Sequence, residues 1–90
     1  MTARAEVEII NERGLHARAS ARFVKLAGTF AAEIKVTRED QTVDALSIMG
    51  LMMLAAGPGS SIEITADGAD EDAAVAALVA MVANRFDEEK

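Results

Sequence analysis

The residues best suited to chemistry lie in one stretch, Asn11-Glu12-Arg13-Gly14-Leu15-His16-Ala17-Arg18-Ala19-Ser20, which contains the only histidine of the chain. Gly14 stands where a strand-like pattern gives way to a helical one, and His16 falls at or just before the helix start. The first backbone N–H groups of a helix have no partner within the helix. Together with the positive end of the helix dipole they favour an anion. A neutral imidazole is a nucleophile. If this ring takes a phosphoryl group, the new negative charge lands where free N–H donors point. Arg18, two residues on, can add charge-assisted hydrogen bonds. Spacing alone also allows His16 to be an ordinary polar residue ahead of a helix.

Three further features surround this segment. Arg13, Arg18, Arg22 and Lys25 form a basic island with no acid between positions 13 and 32. Arg18, Arg22 and Lys25 share a helix face at i, i+4 and i+7, which suits an acidic or phosphorylated partner surface or else a solvated face. Ser47-Ile48-Met49-Gly50-Leu51-Met52-Met53-Leu54 carries more apolar side chains than a two-turn helix can bury against one sheet. Leu46, Leu51 and Leu54 make an inward set. Ile48, Met49, Met52 and Met53 are then partly exposed and suited to docking several partners, although the pattern also fits a core stripe. Ser47 is an N-cap, and a helix start also tolerates added phosphate. Gly57-Pro58-Gly59-Ser60 lacks the Lys-Ser/Thr of a phosphate-binding loop and reads as a turn.

Composition narrows the choice. Ninety residues give one small domain, residues 1–90, with a thin core and no room for a large catalytic cavity. Fifteen acidic against nine basic residues leave a net charge of −6, which disfavours nucleic-acid phosphates and anionic membranes. The three aromatic residues are all Phe, too few for a base-stacking platform. With no cysteine, disulfides and thiol chemistry are out. A lone histidine suggests no metal site, and nothing calls for a cofactor. The longest nearly apolar run, residues 45–56, is too short to span a bilayer, and no signal-peptide pattern is visible. The expected location is cytoplasmic.

These groups must be positioned by short elements. Residues 4–10 alternate like a half-buried strand. Residues 17–29 read as a helix with Ala19, Phe23, Leu26, Ala27 and Phe30 on one stripe. Residues 33–38 and 42–45 read as a hairpin, residues 47–55 as a helix and residues 60–66 as a strand. A last helix over residues 71–86 is capped by Asp70 or a neighbour and carries Val75, Leu78, Val82 and Phe86 inward. Residues 87–90 read as a frayed tail. The order βαββαβα implies an α+β fold with helices on one face of a sheet.

Gly14-Leu15-His16-Ala17-Arg18 resembles the active-site motif of the HPr family, the histidine-containing phosphocarriers of the bacterial phosphoenolpyruvate-dependent phosphotransferase system. The resemblance covers the whole chain, with Phe23-Val24-Lys25 in the continuing first helix and Ser47 in the regulatory-serine region. Ala19-Ser20 and the Met-rich helix are similar to the nitrogen-related regulatory subtype. The resemblance implies an open-faced β-sandwich, a four-stranded antiparallel sheet covered on one face by three helices. It implies that His16 accepts a phosphoryl group at Nδ1 from phosphorylated Enzyme I and passes it to a histidine of an Enzyme IIA protein. Arg18 would stabilise the phosphohistidine. Ser47 would be the target of HPr kinase/phosphorylase where that enzyme exists. Ala21, Lys25, Ile48, Met49, Met52 and Met53 would form the docking patch of a monomeric carrier. The alternative is a regulatory binding module on the same fold, controlled at Ser47. One departure stands out: Ala19 occupies the place where the family usually has proline.

Overall fold

In the computed structural model, which describes residues 2–90, the chain runs β1 (Thr2–Glu8), α1 (Ala17–Ala27), β2 (Glu33–Arg38), β3 (Gln41–Asp44), α2 (Ile48–Met53), β4 (Ser61–Asp67) and α3 (Glu71–Ala83), followed by a short turn, Arg85–Asp87. Met1 lies outside the described residues. The four strands form one antiparallel sheet in the order β1-β4-β2-β3. The expected order βαββαβα is therefore present.

Strand alternation sets the inner face. Ile34, Val36, Ile62, Ile64 and Ala66 are buried, and the register places Val36 opposite Ile64 and Ile34 opposite Ala66. Ala19, Phe23 and Ala27 of α1, Leu51 of α2 and Ala74, Leu78 and Val82 of α3 close over that face. Burying a Leu, Ile or Phe is worth roughly 1.5–3 kcal/mol, and the core combines such residues with Val and many small Ala side chains. The other face carries Glu33, Lys35, Glu6 and Arg4 to solvent.

Several boundaries and roles differ from the sequence expectation. The β1 ladder starts at Thr2, and Ile9 continues it only through Ile9 N–H to Ser60 O at 2.7 Å and Gly59 N–H to Ile9 O at 2.8 Å. Helix α1 stops at Ala27, so Phe30 packs from the following turn. Leu46 is not inward: it is 58% exposed, because it sits in the turn whose N–H is held by Asp44 Oδ1 at 2.9 Å. Ala45 takes the buried place instead.

Ser47 caps α2 as expected, its Oγ accepting from Gly50 N–H at 2.9 Å. The chain leaves that helix through Ala55 at φ 53, ahead of the Gly57-Pro58-Gly59 turn. Asp70 precedes α3 but makes no side-chain cap. Its carboxylate instead accepts from the N–H groups of Ala31 and Ala32, each at 2.8 Å, tying the α1–β2 corner to the start of α3.

The end of the chain departs most. Helix α3 ends at Ala83, and Arg85, Phe86 and Asp87 follow with φ of 56, 52 and 64. Left-handed backbone at side-chain-bearing residues costs on the order of 1–2 kcal/mol each. Burying Phe86 completely offsets part of that cost. Arg22 adds a hydrogen bond from Nη1 to Phe86 O. Residues 87–90 are thus not a frayed tail. They fold back over the start of α1, where Glu12 N–H donates to Lys90 O at 2.9 Å.

Candidate functional site at the start of the first helix

The site is built on the segment joining β1 to α1. Gly14 turns with φ 63, and a Cβ there would meet Ala56 O at 2.3 Å, so only glycine fits. Leu15, buried, donates its N–H to the same Ala56 oxygen at 3.0 Å. These two contacts fix the backbone immediately before His16. Buried Asn11 closes the loop from the other side, its Nδ2 donating to Gly14 O at 2.9 Å.

His16 is the N-cap residue of α1, with extended backbone and no side-chain cap on the helix. Ser20 N–H donates to His16 O at 2.9 Å, the first bond of the helix. Among the described residues, the N–H groups of Ala17, Arg18 and Ala19 make no hydrogen bond. Ala19 therefore offers an amide hydrogen where the family's proline has none. Buried Ser20 back-bonds to Leu15 O at 3.2 Å, which braces the turn without occupying those amides.

The His16 ring keeps 21% of its side-chain surface exposed. It is neither free in solvent nor walled in. Its Nε2 lies 2.5 Å from Oε2 of Glu88. The other Glu88 oxygen, Oε1, accepts from Asn11 Nδ2 at 2.9 Å. Burial alone would raise the Glu88 pKa. The hydrogen bonds from Asn11 and His16, and the charges of His16 and Arg22, outweigh it and hold the carboxyl below the usual carboxylate value. An ionised carboxylate only accepts, so the shared proton sits on Nε2 of His16. Among the described residues Nδ1 makes no hydrogen bond.

The remaining expected residues fall into two groups. Arg18 is exposed beside the site, and with Glu12, Arg13, Arg22, Asp87, Glu88, Glu89 and Lys90 it lines an open depression of about 440 Å³. The basic island is thus not bare, because acids from the chain end face it. Arg22, half-buried, is committed to the Phe86 carbonyl. Ala21 and Lys25 are exposed on α1. Ile48, Met49, Met52 and Met53 are 40%, 71%, 43% and 72% exposed, so the Met-rich helix is not a core stripe. α1 and α2 pack together, which brings these two exposed sets onto adjoining elements.

Asn11 and Glu88 were not legible as site residues. Asn11 lies in the stretch around His16 but with no signal of a role there, and Glu88 belongs to a charged run 72 positions from His16. No local signal links them.

Fold and site together define a small α+β domain that presents a partly buried histidine at a helix start. The family model described as the PTS HPr component phosphorylation site matches residues 3–84. The chain is 54% identical to the phosphocarrier protein HPr of Cupriavidus necator over 83 residues, covering 92% of this chain and 93% of the relative. The crystal structure of HPr-C-His from Thermoanaerobacter tengcongensis superposes with a TM-score of 0.93 at 40% identity, covering 98% and 99% of the two chains. An HPr dimer from the same organism gives 0.77 at 41% identity, covering 91% and 94%. The chain belongs to the HPr family, and it is a phosphocarrier of the phosphotransferase system. Its partners are components of that system. Among the described residues no helix is long and apolar enough to cross a membrane.

Proposed function

We propose that His16 is the phosphoryl acceptor, taking the group at Nδ1 from phosphorylated Enzyme I and yielding it to a histidine of an Enzyme IIA protein. The observation that carries this reading is the N-cap position of His16 beside three unpartnered amides, with Nε2 engaged and Nδ1 not. A phosphoryl group on Nδ1 needs charge stabilisation and in-line access more than covalent machinery. The helix start supplies the first, and the partial exposure of the ring supports the second. Arg18 stabilises the phosphohistidine by charge-assisted hydrogen bonds. Ala21, Lys25, Ile48, Met49, Met52 and Met53 form the surface on which both partners dock in turn. Ser47, at the start of α2 and beside that surface, is the regulatory phosphorylation site for HPr kinase/phosphorylase. The 90 residues act as one domain, as a monomer, in the cytoplasm.

The test is labelling with Enzyme I and phosphoenolpyruvate. Acid-labile phosphate is expected on the wild type and none on His16→Ala. Full label on His16→Ala would end the reading. Sedimentation at working concentration separates the monomer from a dimer like that of the Thermoanaerobacter relative.

A further inference from the structure

We propose that Glu88, held in place by Asn11, is a positioning residue that presents Nδ1 of His16 for phosphoryl transfer. This rests on His16 being the acceptor and adds how its ring is set.

Three distances make a chain. Asn11 Nδ2 donates to Glu88 Oε1 at 2.9 Å, Glu88 Oε2 meets His16 Nε2 at 2.5 Å, and the same Asn11 amide donates to Gly14 O at 2.9 Å. Both neighbours of Asn11 Nδ2 are acceptors, so its orientation is set: the NH₂ must face them. The Asn11 carbonyl oxygen is buried and accepts from no protein donor among the described residues. Glu88 retains only 13% of its side-chain surface, so its carboxylate is held rather than sampled. The whole arrangement depends on the left-handed turn at Arg85–Asp87, which aims the chain back at α1.

The chemical consequence follows from which nitrogen carries the proton. A carboxylate on Nε2–H fixes that tautomer and the ring's rotation, leaving the lone pair on Nδ1. In the transfer, that lone pair forms the new Nδ1–P bond as the donor's own bond to phosphorus breaks, its electron pair staying with the donor. The Nε2 proton does not leave. The ring becomes a phosphorylated imidazolium whose positive charge faces Glu88. On delivery the acceptor's lone pair attacks phosphorus, the Nδ1–P bond breaks, and its electron pair returns to Nδ1.

The experiment uses the full chain as wild type, Glu88→Gln, Glu88→Ala and Asn11→Ala. It combines ¹⁵N spectra of the His16 ring with transfer rates from Enzyme I. The wild-type ring is expected to show a protonated Nε2 and a pyridine-like Nδ1. Glu88→Gln keeps an acceptor oxygen without charge, so it should keep the tautomer and lose rate. Glu88→Ala and Asn11→Ala should mix the tautomers. Both should slow transfer by on the order of tenfold or more, as loss of a histidine-orienting partner does elsewhere. A wild-type ring with its proton on Nδ1, or a Glu88→Ala protein with unchanged tautomer and rate, would overturn the proposal. A faster Glu88→Ala protein would also overturn it, since the carboxylate would then be blocking the site. Label on His16→Ala would strike at the acceptor assignment instead, while the wild-type and Glu88 ring spectra would still report the tautomer on their own.

Discussion

Gly14 and Ala56 meet backbone to backbone: Ala56 O would lie 2.3 Å from any Cβ on Gly14, while it accepts from the next N–H, that of Leu15, at 3.0 Å. The loop that aims His16 is therefore packed against the turn that ends the Met-rich helix. Gly14→Ala combines left-handed strain with a clash against backbone, so a loss of roughly 2–4 kcal/mol is expected. Urea unfolding measures it. A midpoint equal to wild type would show that the two segments separate easily.

Ser47 Oγ holds Gly50 N–H at 2.9 Å. Ser47→Ala should cost about 1 kcal/mol, the usual value for a lost cap. Thermal unfolding of the two proteins side by side gives the number.

Met49 and Met53 are the most exposed large apolar residues among those described. Their joint replacement by Ala should change stability by less than about 1 kcal/mol, since little area leaves the core. Titration against Enzyme I should show weakened binding. Unchanged binding would remove this helix from the docking surface.

Arg22 reaches across from α1 to the Phe86 carbonyl. Arg22→Ala should loosen the turn by about 1–2 kcal/mol, the scale of a hydrogen bond from a charged donor. Hydrogen exchange at Glu88 N–H, which is bonded to Arg85 O at 2.9 Å, should quicken about tenfold, corresponding to about 1.4 kcal/mol. Exchange in β4 should stay as it was.

Two carboxylates make the fold acid-sensitive. The Ala31 N–H, helped by that of Ala32, holds Asp70 below its ordinary 3.8 despite desolvation. Glu88 is raised by burial but lowered further by Asn11, His16 and Arg22, and it ends below 4.5. For a depressed pKa the stabilisation is complete above the unfolded value and disappears as pH falls through the folded one. Stability should therefore hold from neutral pH to about 5 and decline below about 4. Asp70→Asn and Glu88→Gln should each flatten that decline when unfolding is followed against pH.

Strand alternation and the helical stripe of α1 are enough to predict the strands, the helices and most of the buried positions, while the antiparallel pairing follows from the family resemblance. Those signals are local and repeat along the chain. Local sequence patterns mislead where a partner is remote. Asp70 looks like a cap because it precedes a helix, yet its acceptors face Ala31 and Ala32 across a corner. Leu46 looks inward by composition, yet its turn leaves it outside. Asp87-Glu88-Glu89-Lys90 looks solvated, because nothing in four charged residues announces that a left-handed turn just before them will deliver Glu88 to the histidine. The motif around His16 is legible because its glycine, histidine and arginine fall within five consecutive residues.

The helix-free side of the sheet bears Arg4, Glu6, Glu33 and Lys35, and none of these takes part in holding the ring. That surface is the natural place for a fluorophore or a tether. A molecule anchored there would keep its working end turned toward solution.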